Sequence, residues 1–269
     1  MTVGPFVTGE MASLGANGLV HPSRRPVDAA TRAASESVTL AGADVMLAGS
    51  KAAARTSRLG TLVYLHGVAD NRGSATAVVE RFTGRGFDVV AYDSRAHGDS
   101  GGDSCTYGFY EKRDLSRVID RLDSGPVVVV GTSLGAAVAL QAAAEDARIV
   151  AVVAAESFSD LRTVASERAP WFFGDRVISR ALVLAEQLAR FHVDDVSPVV
   201  AAARIKALVF LIHGLDDVET PPDHSRRIFA ALGAGRRLRL VEGAGHNQSL
   251  TPAVWLEIEN WIDAVIAKG

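Results

Sequence analysis

Short apolar runs alternate with longer segments of helical character along most of the chain. The runs are rich in Val, Ile and Leu and carry few polar residues, which is typical of strands buried on both faces. Near the beginning, two shorter runs flank a Gly-containing turn and predict an antiparallel pair. The predicted strands cover residues 37–40, 45–48, 61–65, 87–92, 127–130, 149–155, 207–212 and 237–241.

Segments rich in Ala, Leu and other helix formers separate these strands. The predicted helices cover residues 74–85, about 109–123, 134 to about 146, about 222–232 and about 251–267. Strands that alternate with helices predict the α/β class. The expected architecture is a doubly wound, mostly parallel sheet with helices on both faces, joined by right-handed crossovers.

Two segments do not follow this alternation. Residues 157–200 hold no strand candidate, but they contain Trp171-Phe172-Phe173 and a helical run over 177–191, which predicts a small helical cap inserted into the domain. Residues 1–35 are rich in Gly, Ala, Ser and Pro and show no sustained period. We expect them to form an extended arm, an N-terminal extension to a single domain over residues 36–269.

Composition excludes several classes of protein. The 269 residues suffice for one α/β domain with an insertion, and 48% hydrophobic with 22% charged residues is ordinary for a globular protein. A net charge of −3 gives no electrostatic reason to expect nucleic acid or an anionic membrane as a partner. The single cysteine, Cys105, excludes an internal disulfide framework. No apolar stretch is long enough to span a bilayer, and the first residues do not resemble a secretory signal, so we expect a cytoplasmic protein.

The junction between the run at 127–130 and the next helix is the strongest candidate for chemistry. It reads Gly131-Thr132-Ser133-Leu134-Gly135. A strand that passes into a helix within so few residues must turn sharply, and glycines on both sides of Ser133 remove Cβ atoms that would collide across the turn. The serine hydroxyl then stands at the positive end of the following helix. This pattern predicts that Ser133 is a nucleophile.

A second G-x-S-x-G match surrounds Ser100. The sequence Gly98-Asp99-Ser100-Gly101-Gly102 resembles the nucleophile segment of chymotrypsin-like proteases. However, no buried strand directly precedes Ser100 and no helix follows it. A chymotrypsin-like chain is nearly all strand, whereas this chain alternates strands with helices. We therefore expect Ser100 to be a loop residue.

A nucleophilic serine needs a base, and the base needs an acid that orients it. Reacting groups in open parallel sheets gather at the carboxyl ends of strands. His246 follows the last strand on a Gly-rich loop and is the favoured base. Asp216 and Asp217 follow the preceding strand, and since neighbouring loop residues point in different directions, only one of them can face His246. We favour Asp217.

The developing oxyanion also needs hydrogen-bond donors. The backbone N–H of Leu134 comes directly after the nucleophile. The N–H of Val68 follows His66-Gly67 at the end of a strand, where the missing Cβ of glycine would let the loop approach Ser133. These two amides are the predicted oxyanion hole.

The order Ser133, Asp217, His246 resembles that of the α/β-hydrolase superfamily, and the resemblance extends over roughly residues 36–269. The four-residue spacing from Asp217 to a proline marks the catalytic acid in such relatives, which favours Asp217 over Asp216. The other motifs that resemble the family are His66-Gly67, the Asp93–Ser100 loop with Ala96 in place of a glycine, His213-Gly214 and Gly245-His246.

This resemblance implies a cofactor-free and metal-free serine hydrolase, similar to small bacterial esterases or aminopeptidase-like enzymes. We expect a carboxylesterase that acts on small-molecule esters with short or medium acyl chains. Lysophospholipase, thioesterase and aminopeptidase-like activities are alternatives, and a non-catalytic binding protein with the same fold is a further one. Metal-dependent hydrolysis is disfavoured because no motif such as H-E-x-x-H occurs. An apolar acyl pocket is expected from the aromatic residues Phe158, Trp171, Phe172, Phe173 and Phe191.

Overall fold

The computed structural model of the protein describes residues 5–28 and 36–267, apart from the side chains of residues 5–8. One eight-stranded sheet, in the order β1-β2-β4-β3-β5-β6-β7-β8, organises this part of the chain. The first two strands pair antiparallel, and β2 pairs antiparallel with β4. All remaining neighbours are parallel. The predicted α/β class with a mostly parallel sheet is therefore confirmed.

The elements alternate in the predicted order. The strands are β1 (Glu36–Ala41), β2 (Met46–Ala52), β3 (Gly60–Leu65), β4 (Phe87–Tyr92), β5 (Val127–Thr132), β6 (Ile149–Ala155), β7 (Leu208–Gly214) and β8 (Arg236–Val241). The α-helices are α1 (Pro5–Val20), α2 (Thr76–Phe82), α3 (Glu111–Ile119), α4 (Leu134–Ala143), α5 (Leu161–Glu167), α6 (Asp175–Ala189), α7 (Pro198–Ala202), α8 (Asp223–Ala231) and α9 (Pro252–Ile266). Short 3-10 helices cover Arg72–Ala75, Thr83–Arg85 and Val193–Asp195.

Two apolar layers cover the two faces of the sheet because strand side chains alternate between the faces. Along β3, Val63 and Leu65 belong to the layer that contains residues of α3, α4 and α8. Leu62 and Tyr64 belong to the opposite layer, with residues of α2 and α9. All six residues of β3 are buried. The sheet is therefore a rigid platform whose carboxyl edge can hold side chains in fixed positions.

The stretch between β6 and β7 contains helices and no strand in the described residues. We call residues 157–200 the cap segment. Its α5 and α6 contribute Leu161, Val164 and Leu182 to a separate apolar cluster. Its role as an inserted cap stays a prediction from the sequence.

The expectation of an extended arm at the beginning of the chain was wrong for the region of α1. Residues 5–20 form a helix whose Ala16 and Val20 are fully buried in the cluster of the cap segment. Ala12 is also buried, next to Val177 and Ala181 of α6. The rest of the predicted arm, residues 1–4 and 29–35, lies outside the described residues. The contacts of α1 with α6 therefore attach the N-terminal region to the cap segment.

Among the described residues, no helix has the length and apolar character needed to cross a bilayer.

Candidate active site

Ser133 occupies the sharp bend between β5 and α4. Its backbone has φ 49° and ψ −111°, a strained conformation for a residue with a side chain. A Cβ on Gly131 would lie 2.4 Å from backbone atoms of Gly135, and one on Gly135 would lie 2.2 Å from the carbonyl oxygen of Leu65. The expectation that both glycines are required by close packing is therefore confirmed. The bend holds Ser133 at the N-terminus of α4.

Three side chains predicted from the sequence meet at this bend. The Nε2 atom of His246 lies 3.0 Å from the Oγ of Ser133. The Nδ1 atom of the same ring lies 2.7 Å from the Oδ2 of Asp217. With a proton on Nδ1 donated to the carboxylate, the lone pair of Nε2 faces the serine hydroxyl. This arrangement allows the imidazole to remove the hydroxyl proton.

Asp217 is held as an ionised carboxylate. Burial favours its neutral form, but the hydrogen bonds from His213, His246 and the N–H of Thr220 outweigh burial and lower the pKa of Asp217 well below its usual range. Its Oδ1 accepts the N–H groups of Glu219 and Thr220 at 3.0 and 2.8 Å. Asp216, the alternative acid, is exposed. The structure thus places Asp217, and not Asp216, against His246.

Of the two predicted oxyanion donors, Leu134 directly follows Ser133 at the bend, and Val68 lies on the loop after β3. Among the described residues, neither the N–H of Val68 nor that of Leu134 has a hydrogen-bond acceptor. Val68 lines the same cleft as Ser133. The reason we gave for Gly67 was wrong, because a Cβ there would make only an ordinary contact of 3.5 Å with Ser133. Both donors are therefore without a competing acceptor in the described part of the chain, and their role as an oxyanion hole stays a prediction.

Glu156 is a neighbour of His246 that the sequence analysis missed. It directly follows β6, has a positive φ of 58° and is 1% exposed. Its carboxylate accepts the N–H of Asn247 and, at 3.0 Å, the N–H of Ser249. Its Oε2 also lies 3.9 Å from the Nδ1 of His246. Glu156 therefore fixes the loop that carries His246. Its position at the carboxyl end of a strand is the signal that could have revealed it.

Arg168, at the end of α5, is a second missed residue. Its guanidinium donates to the carbonyl oxygen of Glu219 at 2.8 Å and to the hydroxyl of Thr220 at 2.5 Å. Its Nη2 lies 3.4 Å from the Nε2 of His246. The sequence does not indicate the contact between Arg168 and His246, because the hydrophobic pattern does not show where the cap segment lies relative to the sheet. A cation therefore stands beside the imidazole of His246.

A cleft of about 420 Å³ opens above Ser133 and His246. Charged and polar groups contribute much of its lining, including Arg25, Asp70 and Glu219. A cleft of this kind can hold the polar part of a small molecule next to the serine.

The predicted apolar pocket is only partly as expected. Phe158 and Phe173 line an apolar cavity of about 240 Å³ next to the cleft. Phe191 is buried and packs against Phe109 instead. Trp171 and Phe172 are 95% and 58% exposed and do not line this cavity. The turn that carries these two rings points them towards solvent, which the sequence pattern could not indicate.

Two other motifs from the sequence, around Ser100 and His66, form hydrogen bonds within loops near the site. Ser100 is buried in a loop, where its hydroxyl donates to the carbonyl oxygen of Asp93 at 2.6 Å and accepts the N–H of Ala48 at 2.8 Å. The expectation that Ser100 is a loop residue is confirmed. The Nε2 of His66 accepts the N–H of Ser94 at 2.9 Å, and burial lowers the pKa of this imidazole. These contacts anchor the loops around the site.

One group of side chains has the composition of a metal site. Ligand atoms of Glu156, Asp217 and His246 lie within 4.8 Å of one another. The hydrogen bonds described above already engage the carboxylate oxygens of Glu156 and Asp217. The cluster is therefore explained by the hydrogen bonds that support His246.

Comparisons with known proteins agree with the observed fold. The sequence model of a family described as alpha/beta hydrolase fold matches residues 60–196. The protein YqkD of Bacillus subtilis, described as uncharacterized, is 28% identical over 204 residues, which cover 71% of this chain and 66% of YqkD. The chain thus spans slightly less than two thirds of the length of this relative.

Two solved structures share the architecture. The esterase Pf2001 of Pyrococcus furiosus superimposes with a TM-score of 0.75 at 24% identity, covering 92% of this chain and all of that one. The acylaminoacyl peptidase of Pyrococcus horikoshii gives a TM-score of 0.64 at 17% identity, covering 84% of this chain and 41% of the peptidase. At these identities the likeness concerns the fold.

Proposed function

The chain belongs to the α/β-hydrolase fold family, and from this premise we propose that it is a serine hydrolase that cleaves carboxylic esters with short or medium acyl chains. The observation that carries the proposal is the continuous contact from Ser133 through His246 to Asp217, at 3.0 and 2.7 Å. Fold alone does not define an activity, whereas such a set of groups does have a defined chemistry.

In the first half of the proposed reaction, the Oγ of Ser133 attacks the ester carbonyl while its proton passes to the Nε2 of His246. Asp217 stabilises the resulting imidazolium. The carbonyl oxygen becomes an oxyanion that accepts the N–H groups of Val68 and Leu134. The bond to the alcohol then breaks, and the proton on Nε2 passes to the leaving oxygen. An acyl-serine and a free alcohol result.

In the second half, water takes the place of the alcohol. His246 accepts a proton from this water as it attacks the acyl carbonyl, and a second oxyanion forms. Its collapse breaks the bond to Ser133, which regains the proton from Nε2. The products are a carboxylic acid and the free enzyme, so the proposed cycle needs only groups supplied by this chain and water.

A fluorophosphonate probe and p-nitrophenyl butyrate test the proposal together. The wild-type protein should be labelled on Ser133 and should hydrolyse the ester. Ser133→Ala should lose labelling and lower the rate by at least about a thousandfold, because the nucleophile is removed. Ser100→Ala, which changes the serine of the other G-x-S-x-G sequence, is the matched control and should still be labelled. An unlabelled wild-type protein would refute the serine mechanism and favour a non-catalytic binding protein.

The choice of substrate class is tested separately. A panel of p-nitrophenyl esters, acyl thioesters and aminoacyl p-nitroanilides, each assayed with the wild type and Ser133→Ala, compares the proposed esterase with thioesterase and aminopeptidase activities. We expect the highest Ser133-dependent kcat/KM with an oxygen ester. A higher value with a thioester or an amide would replace the esterase proposal while keeping the serine mechanism.

A further inference from the structure

The cavity of about 240 Å³ next to the cleft is walled by the N-terminal helix as well as by the cap segment. Gly15, Gly18 and Leu19 of α1 form one side. Val164 and Leu182, from α5 and α6, belong to the other side. The lining is almost entirely apolar, and Arg168 supplies its only charged side chain among the described residues. Such a cavity favours an apolar occupant.

Arg168 connects this cavity with the catalytic cleft, because it lines both. Its guanidinium is tied to Glu219 and Thr220, beside His246. Its aliphatic part can cover apolar surface while the charged end stays in the polar cleft. A molecule that reaches from Ser133 past Arg168 therefore leaves a polar environment and enters an apolar one.

The size of the cavity limits what can enter. If a methylene group takes about the 30 Å³ that a water molecule occupies in the liquid, the cavity of about 240 Å³ has room for about eight such groups. Each methylene buried there improves binding by about fourfold. A single unbranched chain of about eight carbons matches this volume, and each of its methylene groups adds to the binding.

We propose that this cavity binds an unbranched alkyl chain of about eight carbons in the ester substrate, with α1 as its outer wall. The proposal rests on the ester hydrolysis proposed above, and it gives residues 5–20 a part in substrate selection. The chain belongs either to the acyl group or to the alcohol, and two substrate series distinguish these sources.

Two glycines of α1 provide a matched pair of variants. A Cβ added to Gly18 or to Gly9 meets no atom within 4 Å, so a side chain can begin at either position without a clash at its Cβ. Both glycines are exposed, but Gly18 lines the cavity and Gly9 does not. Gly18→Leu therefore reduces the space for a chain, and Gly9→Leu makes the same change in helix propensity without doing so.

The experiment measures kcat/KM for p-nitrophenyl esters from acetate to dodecanoate and for alkyl acetates from ethyl to decyl. In one series, Gly18→Leu should lower the ratio of kcat/KM for the eight-carbon substrate to that for the two-carbon substrate by about sixteenfold, the equivalent of two lost methylene contacts. Gly9→Leu should keep the wild-type ratio. If both variants keep the wild-type ratios in both series, the proposal is wrong.

A second variant and a binding measurement keep the test decisive if Gly18→Leu does not fold. Phe173→Ala enlarges the cavity, so the preferred chain should become longer, and an unchanged optimum would contradict the proposal. Octan-1-ol should raise the melting temperature of Ser133→Ala more than ethanol does, and an equal effect of the two alcohols would contradict it too. This binding measurement needs no turnover. A wild type that hydrolyses no ester but binds octan-1-ol would refute the proposed activity while supporting the cavity.

Discussion

Glu156 connects the end of β6 with the loop that follows β8. Its backbone is strained, its side chain is buried, and its carboxylate accepts the N–H groups of Asn247 and Ser249, which follow His246 in the loop. A buried carboxylate is costly unless hydrogen bonds satisfy it, and here the donors come from the loop of the proposed base. The position of the imidazole therefore depends on this carboxylate as well as on Asp217.

Glu156→Gln should lower kcat while leaving KM nearly unchanged. The amide group of glutamine would present N–H donors to one of the two backbone N–H groups, so the loop would lose a charge-assisted hydrogen bond. Such a bond is worth about 1.5–3 kcal/mol, which corresponds to a fall in kcat of roughly ten- to a hundredfold. Steady-state kinetics with p-nitrophenyl butyrate measure the effect.

Glu219→Gln is the control for this substitution. Glu219 lines the same cleft but is exposed, so the variant removes a negative charge without changing the support of His246. Its kcat should stay close to that of the wild type. Equal losses in the two variants would mean that charge in the cleft matters and that the contacts of Glu156 do not.

At the level of single residues, the sequence reveals groups with a local signature. Ser133 is marked by its glycines, and His246 by its place after the last strand. Asp217 and Asp216 are adjacent, and burial of only one of them separates their roles. Glu156 and Arg168 reach His246 through the tertiary fold, from 90 and 78 positions away in the chain. Glu156 is marked only by its place directly after a strand, and no local pattern identifies Arg168.

At the level of elements, β3 comes close to the bend at Ser133. This close approach leaves different amounts of space for a side chain at Gly135 and at Gly67. A Cβ on Gly135 would lie 2.2 Å from the carbonyl oxygen of Leu65, whereas one on Gly67 would lie 3.5 Å from the Cβ of Ser133. The first distance requires backbone movement, and the second is an ordinary contact. Glycine is therefore required for packing at 135 and not at 67.

Gly135→Ala should destabilise the protein by about 1–3 kcal/mol or more, since overpacking against the backbone forces α4 away from the sheet. Gly67→Ala should leave the free energy of unfolding within about 0.5 kcal/mol of the wild type. Gly233→Ala serves as a control, because a Cβ there meets nothing within 4 Å. Urea unfolding measures the free energy of unfolding of the three variants and tests these expectations. A stable Gly135→Ala would show that the bend relaxes easily.

The elements that the sequence predicted best are those whose ends are marked by local chemistry. The strands Phe87–Tyr92 and Ile149–Ala155 were predicted with the bounds that the structure has, because each is a continuous apolar run. Gly86, with φ 89°, marks the start of the strand Phe87–Tyr92. Helix α1 was missed because the residues that it buries include Ala12 and Ala16, which give a weak apolar signal. Its partner α6 is also remote in sequence.

At the level of the whole molecule, buried imidazoles connect stability with pH. His66, His97 and His224 are fully buried, and burial lowers the pKa of each. A histidine whose pKa is lower in the folded than in the unfolded state binds protons more readily when the protein is unfolded. A fall in pH therefore stabilises the unfolded state and lowers the free energy of unfolding. His97 shows this most clearly: burial, together with the neighbouring His66, lowers its pKa to about 4, and its Nε2 has no hydrogen-bond partner among the described residues.

The free energy of unfolding should therefore decrease as the pH falls from about 6.5, the usual pKa of histidine, towards about 4, the pKa of His97 in the fold. Between about pH 7 and about pH 4.5, His97 alone accounts for about 2 kcal/mol of this decrease. His97→Gln should remove that part of the pH dependence, as measured by urea unfolding at several pH values. His192→Gln, at an exposed position, should keep the wild-type dependence. Equal pH dependence in all three proteins would mean that His97 is readily protonated in the fold.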